Sequence, residues 1–107
     1  MGYNKNMDIT KNIKVIEWLK SETLNAIAHL FGLLVNGVKS GQEAILDAIA
    51  NIILVTYLLG KRLGFSFDKI DEKVKSKVKL SIVEEHKIEK WYGDLTKLKD
   101  HLNKTRK

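Results

Sequence analysis

Glu22, Asn25 and His29 stand at i, i+3 and i+7, and Glu43, Asp47 and Asn51 at i, i+4 and i+8. Either spacing gathers its residues on one face of an α-helix, in stretches whose neighbours are largely apolar. If the two helices form an antiparallel hairpin, the two faces meet in a groove lined by carboxylates and amides. Such a groove offers oxygen donors to a divalent cation and hydrogen-bonding groups to a phosphate. The alternative is a polar layer whose members hydrogen-bond one another and fix helix register. A buried polar group without a partner costs about 1–3 kcal/mol, so the groove needs either a ligand or internal partners.

Other residue types offer less. The chain has no cysteine, which removes disulfide scaffolds, thiolate zinc sites and cysteine nucleophiles, and matches an intracellular, cytoplasmic protein. His29, His86 and His101 are isolated from one another, so no zinc quartet can be assembled; His29 reads as an interior, hydrogen-bonded histidine and the other two as surface groups. Trp18, Tyr57 and Trp91 read as packing anchors. No glycine-rich phosphate loop is present, and the segment GFSFD at 64–68 lacks the G-x-S-x-G elbow of a serine hydrolase.

The elements that must position these groups are helical. Ile9, Ile13, Ile16, Leu19 or Trp18, Thr23, Ile27, Leu30 and Leu34 recur at steps of three and four, which predicts one long amphipathic helix from Asp8 or Thr10 to about Val35. Asn36-Gly37 ends it. Ser40-Gly41-Gln42-Glu43 has the Ser-x-x-Glu pattern of a capping box and opens a second helix that ends between Gly60 and Gly64. Almost every face of that helix is apolar (Ile45, Ala48, Ile49, Ile52, Ile53, Leu54, Val55, Leu58, Leu59), more than one short chain can cover. A homo-oligomer, dimer or tetramer, is therefore expected.

Ser66 or Asp68 caps a third helix with Ile70, Val74 and Val78 as its apolar stripe. Lys69, Lys73 and Lys77 form a cationic ridge along it. The segment SIVEEHKIEKWYG continues it or bends into a short helix, and Gly93-Asp94 precedes a last helix on Leu95, Leu98 and Leu102. With 107 residues, no internal repeat and no linker, the whole reads as one domain with residues 1–7 and 104–107 as flexible ends. A chain this short buries only about 65% of its unfolded surface, a second reason to expect association.

The net charge of +6 is uneven: residues 1–60 hold five basic and five acidic groups, residues 61–107 fourteen and eight. A basic half attracts phosphates or simply keeps a surface solvated. A signal peptide and a membrane span are not expected. The first ten residues are polar, and the most apolar run offers nine uninterrupted residues before Lys61, against about twenty for a bilayer.

The order of a Glu-bearing helix, a glycine turn, a nearly all-apolar helix and then LLGKRLGFSFDKIDEKVKSKV resembles the MazG-like branch of the all-α nucleoside triphosphate pyrophosphohydrolases. The similarity is clearest over residues 40–80 and extends from about Asp8 to Arg106. The resemblance implies an all-α, MazG-like bundle of four to five helices completed by oligomerisation. It also implies Mg²⁺-dependent cleavage of a nucleotide between its α- and β-phosphates. The family holds metal with Glu-Glu-x-x-Glu on one helix and Glu-x-x-Asp on the next.

Laid on this chain, the first motif falls on Ser21-Glu22-x-x-Asn25 and the second on Ala48-Ile49-Ala50-Asn51. Glu22 alone survives as a carboxylate, and Asp47, one position before Ala48, is the substitute, although one position turns a side chain about 100°. Glu22 and Asp47 are thus the candidate metal ligands, while Asn25, Asn51, Lys73 and Lys77 are the candidate nucleotide or phosphate contacts. Replacing carboxylates by Asn, Ser and Ala removes most of the charge that holds Mg²⁺. These departures favour a MazG-like protein with an eroded metal site, which binds a nucleotide or partner as a regulator or sequestering protein with little turnover. A pyrophosphohydrolase using a rearranged site is the first alternative. A nucleic-acid-binding protein is the second, and the acids interleaved among its lysines weigh against it.

Overall fold

The computed structural model describes residues 5–37, 41–84 and 87–104, with side chains from residue 8 onward. Five helices follow one another: α1 Lys5–Asn36, α2 Gln42–Arg62, α3 Phe67–Val83, α4 Lys87–Tyr92 and α5 Asp94–Lys104. No strand occurs among the described residues, so the protein is all-α. The chain divides into two compact units, Met1–Ser66 and Phe67–Lys107.

The first unit is the α1–α2 hairpin. Asn12, near the start of α1, meets Arg62 at the end of α2: its Nδ2 donates to the Arg62 carbonyl at 3.1 Å, and Arg62 Nη1 donates to its Oδ1 at 3.3 Å. The two helices are therefore antiparallel. Leu19 (2% exposed), Ala26, Ala48 and Val55 are the buried residues of the seam, with Val15, Ile16, Leu30, Ile45, Ile52 and Leu59 half-buried around them. Two alanines let the helix axes approach closely, and leucine and valine fill the space on either side.

Five positions of the stripe that the spacing suggests lie in this seam, Leu19 buried and Ile16, Thr23, Ile27 and Leu30 half-buried. Ile9, Ile13 and Leu34 are exposed; in the register set by the Asn12–Arg62 pairing, Ile9 and Leu34 lie beyond the two ends of α2 and have no partner helix beside them. Likewise α2 begins after Gly41, which stands at its N-cap with φ 80° and gives no side-chain cap; Ser40, the expected cap, lies outside the described residues. Its far end closes as expected of glycine. Gly64, at φ 104°, donates to the Lys61 carbonyl while Phe65 donates to that of Gly60, both at 3.0 Å, the paired bonds of a Schellman motif.

Length and composition alone make α2 the one helix among the described residues able to cross a bilayer.

In the second unit α5 packs on α3 and α4. Val78 is buried, and Asp71, Lys75, Ile82, Leu95, Lys99 and Leu102 are half-buried. Gly93, at φ 69°, turns the chain between α4 and α5. The Glu89 carboxylate accepts from the Thr96 amide at 3.0 Å and from the Thr96 hydroxyl, tying α4 to the first turn of α5.

Candidate functional site

Residues advance about 100° per position around a helix, so the seam fixes where every other side chain of the hairpin projects. Glu22, Asn25 and His29 lie about 60–120° to one side of the α1 seam; Asp47 and Asn51 lie about 80–120° to one side of the α2 seam. Because the helices are antiparallel, both groups emerge on the same face of the hairpin. The opposite face carries Ile9, Ile13, Leu24 (70% exposed) and Phe31 (61%) from α1 with Leu46, Ile49 and Ile53 from α2, all exposed. One hairpin thus presents a polar face and an apolar one.

Along the polar face, the Asn12–Arg62 pairing sets the register. It puts Glu22 level with Asn51, and Asn25 between the levels of Asn51 and Asp47. The two candidate metal ligands, Glu22 and Asp47, are separated by five positions in this register, about 7.5 Å along the axis at 1.5 Å per residue. Glu22 is half-buried; Asn25, Asp47 and Asn51 are exposed. No group of three or more His, Asp or Glu residues is placed to hold a metal among the described residues. Mg²⁺ prefers octahedral oxygen coordination by carboxylates, waters and substrate phosphates, and two acids at different levels, with amides between them, do not fit the carboxylate-rich set that the resemblance implies.

Two side chains on this face depart from their expected roles. His29 is exposed and so is not an interior histidine: the seam passes through Ala26 and Leu30 and leaves His29 to one side. Trp18 is 59% exposed on the same side as Glu22, and packs no interior. Trp91, the other tryptophan, is also exposed; it meets the Tyr92 ring edge-on at 6.5 Å, with Lys87 Nζ 6.0 Å from its centroid.

A cleft of about 600 Å³ lies at the open end of the hairpin and is lined by Asp8, Ile9, Lys11, Asn12, Ile13, Val15 and Arg62. Lys11 and Arg62 are cations beside the polar face that sequence reading missed; a lone arginine at a helix end gives no pattern until its helix is paired with another. Lys73 and Lys77, the expected phosphate contacts, are exposed on α3, in the second unit, and project away from the Asp71–Lys75–Val78–Ile82 side that faces the unit's interior.

A protein-family model described as the MazG-like family matches residues 9–95. No curated protein and no solved structure matches the chain.

Proposed function

The chain belongs to the MazG-like family, and from that premise we propose that it is a nucleotide-binding protein with little or no pyrophosphohydrolase turnover, acting as a regulator or by sequestering its ligand. The observation that carries this reading is the composition of the hairpin's polar face. Glu22, Asn25, Asp47 and Asn51 project together there, with amides where the resemblance implies carboxylates. Fewer acids make a groove less repulsive to phosphate when no metal offsets the charge. Exposed Trp18 supplies a ring on which a base can stack, and Lys11 and Arg62 supply cations at the open end. The donor set does not fit an efficient Mg²⁺ centre, so no hydrolytic step is assigned to it.

Calorimetry with a panel of nucleoside triphosphates, with and without Mg²⁺, tests the reading. Binding heat without added Mg²⁺ and no pyrophosphate release is the expected result, with affinity lowered in N25A/N51A. No heat for any nucleotide overturns it. Pyrophosphate release that disappears in Glu22→Gln and Asp47→Asn overturns it in favour of the enzyme.

The same proposal places the protein in the cytoplasm as a homo-oligomer, dimer or tetramer, and off the membrane. Its support is the apolar face. Ile13, Leu24, Phe31, Leu46, Ile49 and Ile53 are exposed on both helices of the hairpin, and a second copy can cover them by closing a four-helix bundle through a self-complementary two-fold contact.

A further inference from the structure

Within the second unit, α3 and α5 enclose a cleft of about 200 Å³ lined by Lys75, Val78, Lys79, Lys99, Leu102 and Asn103. Three of its six lining residues are lysines and none is a carboxylate, although residues 67–107 hold eight acids to twelve bases. Lys75 and Lys79 are one turn apart on α3, Lys99 and Asn103 one turn apart on α5, and Val78 and Leu102 lie between the two pairs. None of the three lysines forms an ion pair with a carboxylate among the described residues. Lys75 and Lys99 are half-buried, with their stems packed beside Val78 and Leu102 in the lining of the cleft.

We propose that this cleft is a binding site for a compact anion carrying two or more phosphoryl groups, held by Lys75, Lys79 and Lys99 with Asn103 as a further hydrogen-bond donor. Three like charges lining one small cleft repel one another, and a multiply charged anion offsets all three at once. Lysine binds phosphate as a mobile point charge and does not demand one bidentate geometry. At about 200 Å³ the cleft is smaller than pockets that enclose drug-sized molecules, about 300–1,000 Å³, and suits phosphoryl groups with any attached organic group outside. The site is independent of the hairpin's polar face, and it uses the side of α3 turned away from the Lys69–Lys73–Lys77 ridge.

Titration calorimetry of the full chain with pyrophosphate and with orthophosphate, at low ionic strength where screening is weak, tests the proposal. Tighter binding of pyrophosphate than of orthophosphate is the expected result. Lys79→Gln weakens pyrophosphate about tenfold, the equivalent of one charge-assisted hydrogen bond, and K75Q/K79Q/K99Q abolishes measurable binding while the helical circular dichroism is retained. A charge-matched triple variant outside the cleft, K87Q/K90Q/K97Q, stays within about threefold of the parent, as screened distant charges should. Three results overturn the proposal: no heat with pyrophosphate, equal weakening by the two triple variants, or loss of pyrophosphate binding in N25A/N51A with the cleft triple variant unaffected. The last result moves the anion to the hairpin and leaves the nucleotide reading standing.

Discussion

The hairpin and the three-helix unit are built from the same kind of element and turn different surpluses outward. In α1 and α2 the residues beyond what the seam needs are aliphatic or aromatic, from Ile13 and Leu24 to Phe31 and Ile53. In α3 and α5 lysines join exposed Phe67, Leu80, Val83 and Leu98 and reach even into the half-buried positions 75 and 99. An apolar surplus is a demand for more protein, because burial returns roughly 25 cal/mol for each Å² removed from water. A cationic surplus attracts small anions and opposes packing against a like-charged copy. The first unit is thus suited to association and the second to capturing charge from solution.

The comparison is sharpest at the seams. Leu19→Ala removes the most buried large side chain of the hairpin and is expected to destabilise it by about 2–5 kcal/mol. Val78→Ala, at the only buried position of α3, removes two carbons at about 0.8 kcal/mol each and is expected to cost less than half as much. Urea unfolding followed by circular dichroism measures both. Equal losses would show that the hairpin seam is no better packed than the α3–α5 contact.

The seams also show how far the sequence could be read. Period-3.6 spacing marks α1, α2, α3 and α5 and leaves α4 open as a continuation of α3 or a short helix of its own, and the glycine ends at Gly37, Gly64 and Gly93 are recognisable because each position takes positive φ. The resemblance in LLGKRLGFSFDKIDEKVKSKV identifies the family. The packed side of α1 was legible in Ile16, Leu19, Thr23, Ile27 and Leu30, whereas Ala26 and Ala48 contribute little hydrophobic signal and yet are buried in the seam. Between Leu19 and Trp18 the spacing left the choice open, and Leu19 is the one that packs. The lysine ridge at 69, 73 and 77 was visible because its members share one helix. The cleft was not, because Lys99 comes from another helix and only the α3–α5 contact brings it to Lys75 and Lys79. That Glu22, Asn25, Asp47 and Asn51 project to one side of the hairpin follows only once the seam and the antiparallel pairing are known.

A charge on the apolar face is the next test in size. Ile53→Glu leaves the hairpin seam untouched, since Ile53 is 54% exposed, but places a carboxylate where a second copy would have to desolvate it. Self-association measured by analytical ultracentrifugation is expected to weaken at least tenfold, about 1.4 kcal/mol, with helical content unchanged. Lys73→Glu on α3, in contrast, is expected to leave association unaltered. Should the parent chain be monomeric at every concentration and float with lipid vesicles, the apolar surplus of α2 serves a membrane and the homo-oligomer is wrong.

The smallest effect separates the units by acid. Glu89 holds α4 to α5 by accepting hydrogen bonds, and its carboxyl lies below the ordinary value chiefly because the Thr96 hydroxyl donates to it; partial desolvation works the other way, and the Thr96 and Leu95 amides add to the lowering. A carboxylate with a depressed folded-state value contributes stability that is present above its unfolded value, about 4.3 for Glu, and disappears as pH falls through the folded one. The α4–α5 junction is therefore expected to loosen below about pH 4.3, seen as faster amide exchange at Leu95 and Thr96. Glu89→Gln should remove that pH dependence and give the faster exchange at neutral pH, because an amide oxygen is a weaker acceptor than a carboxylate. The hairpin seam contains no carboxylate among its buried residues, so exchange at Leu19 and Val55 should not change over the same range. An equal response in the two units would mean that the acid transition belongs to the whole fold and not to the Glu89 clasp.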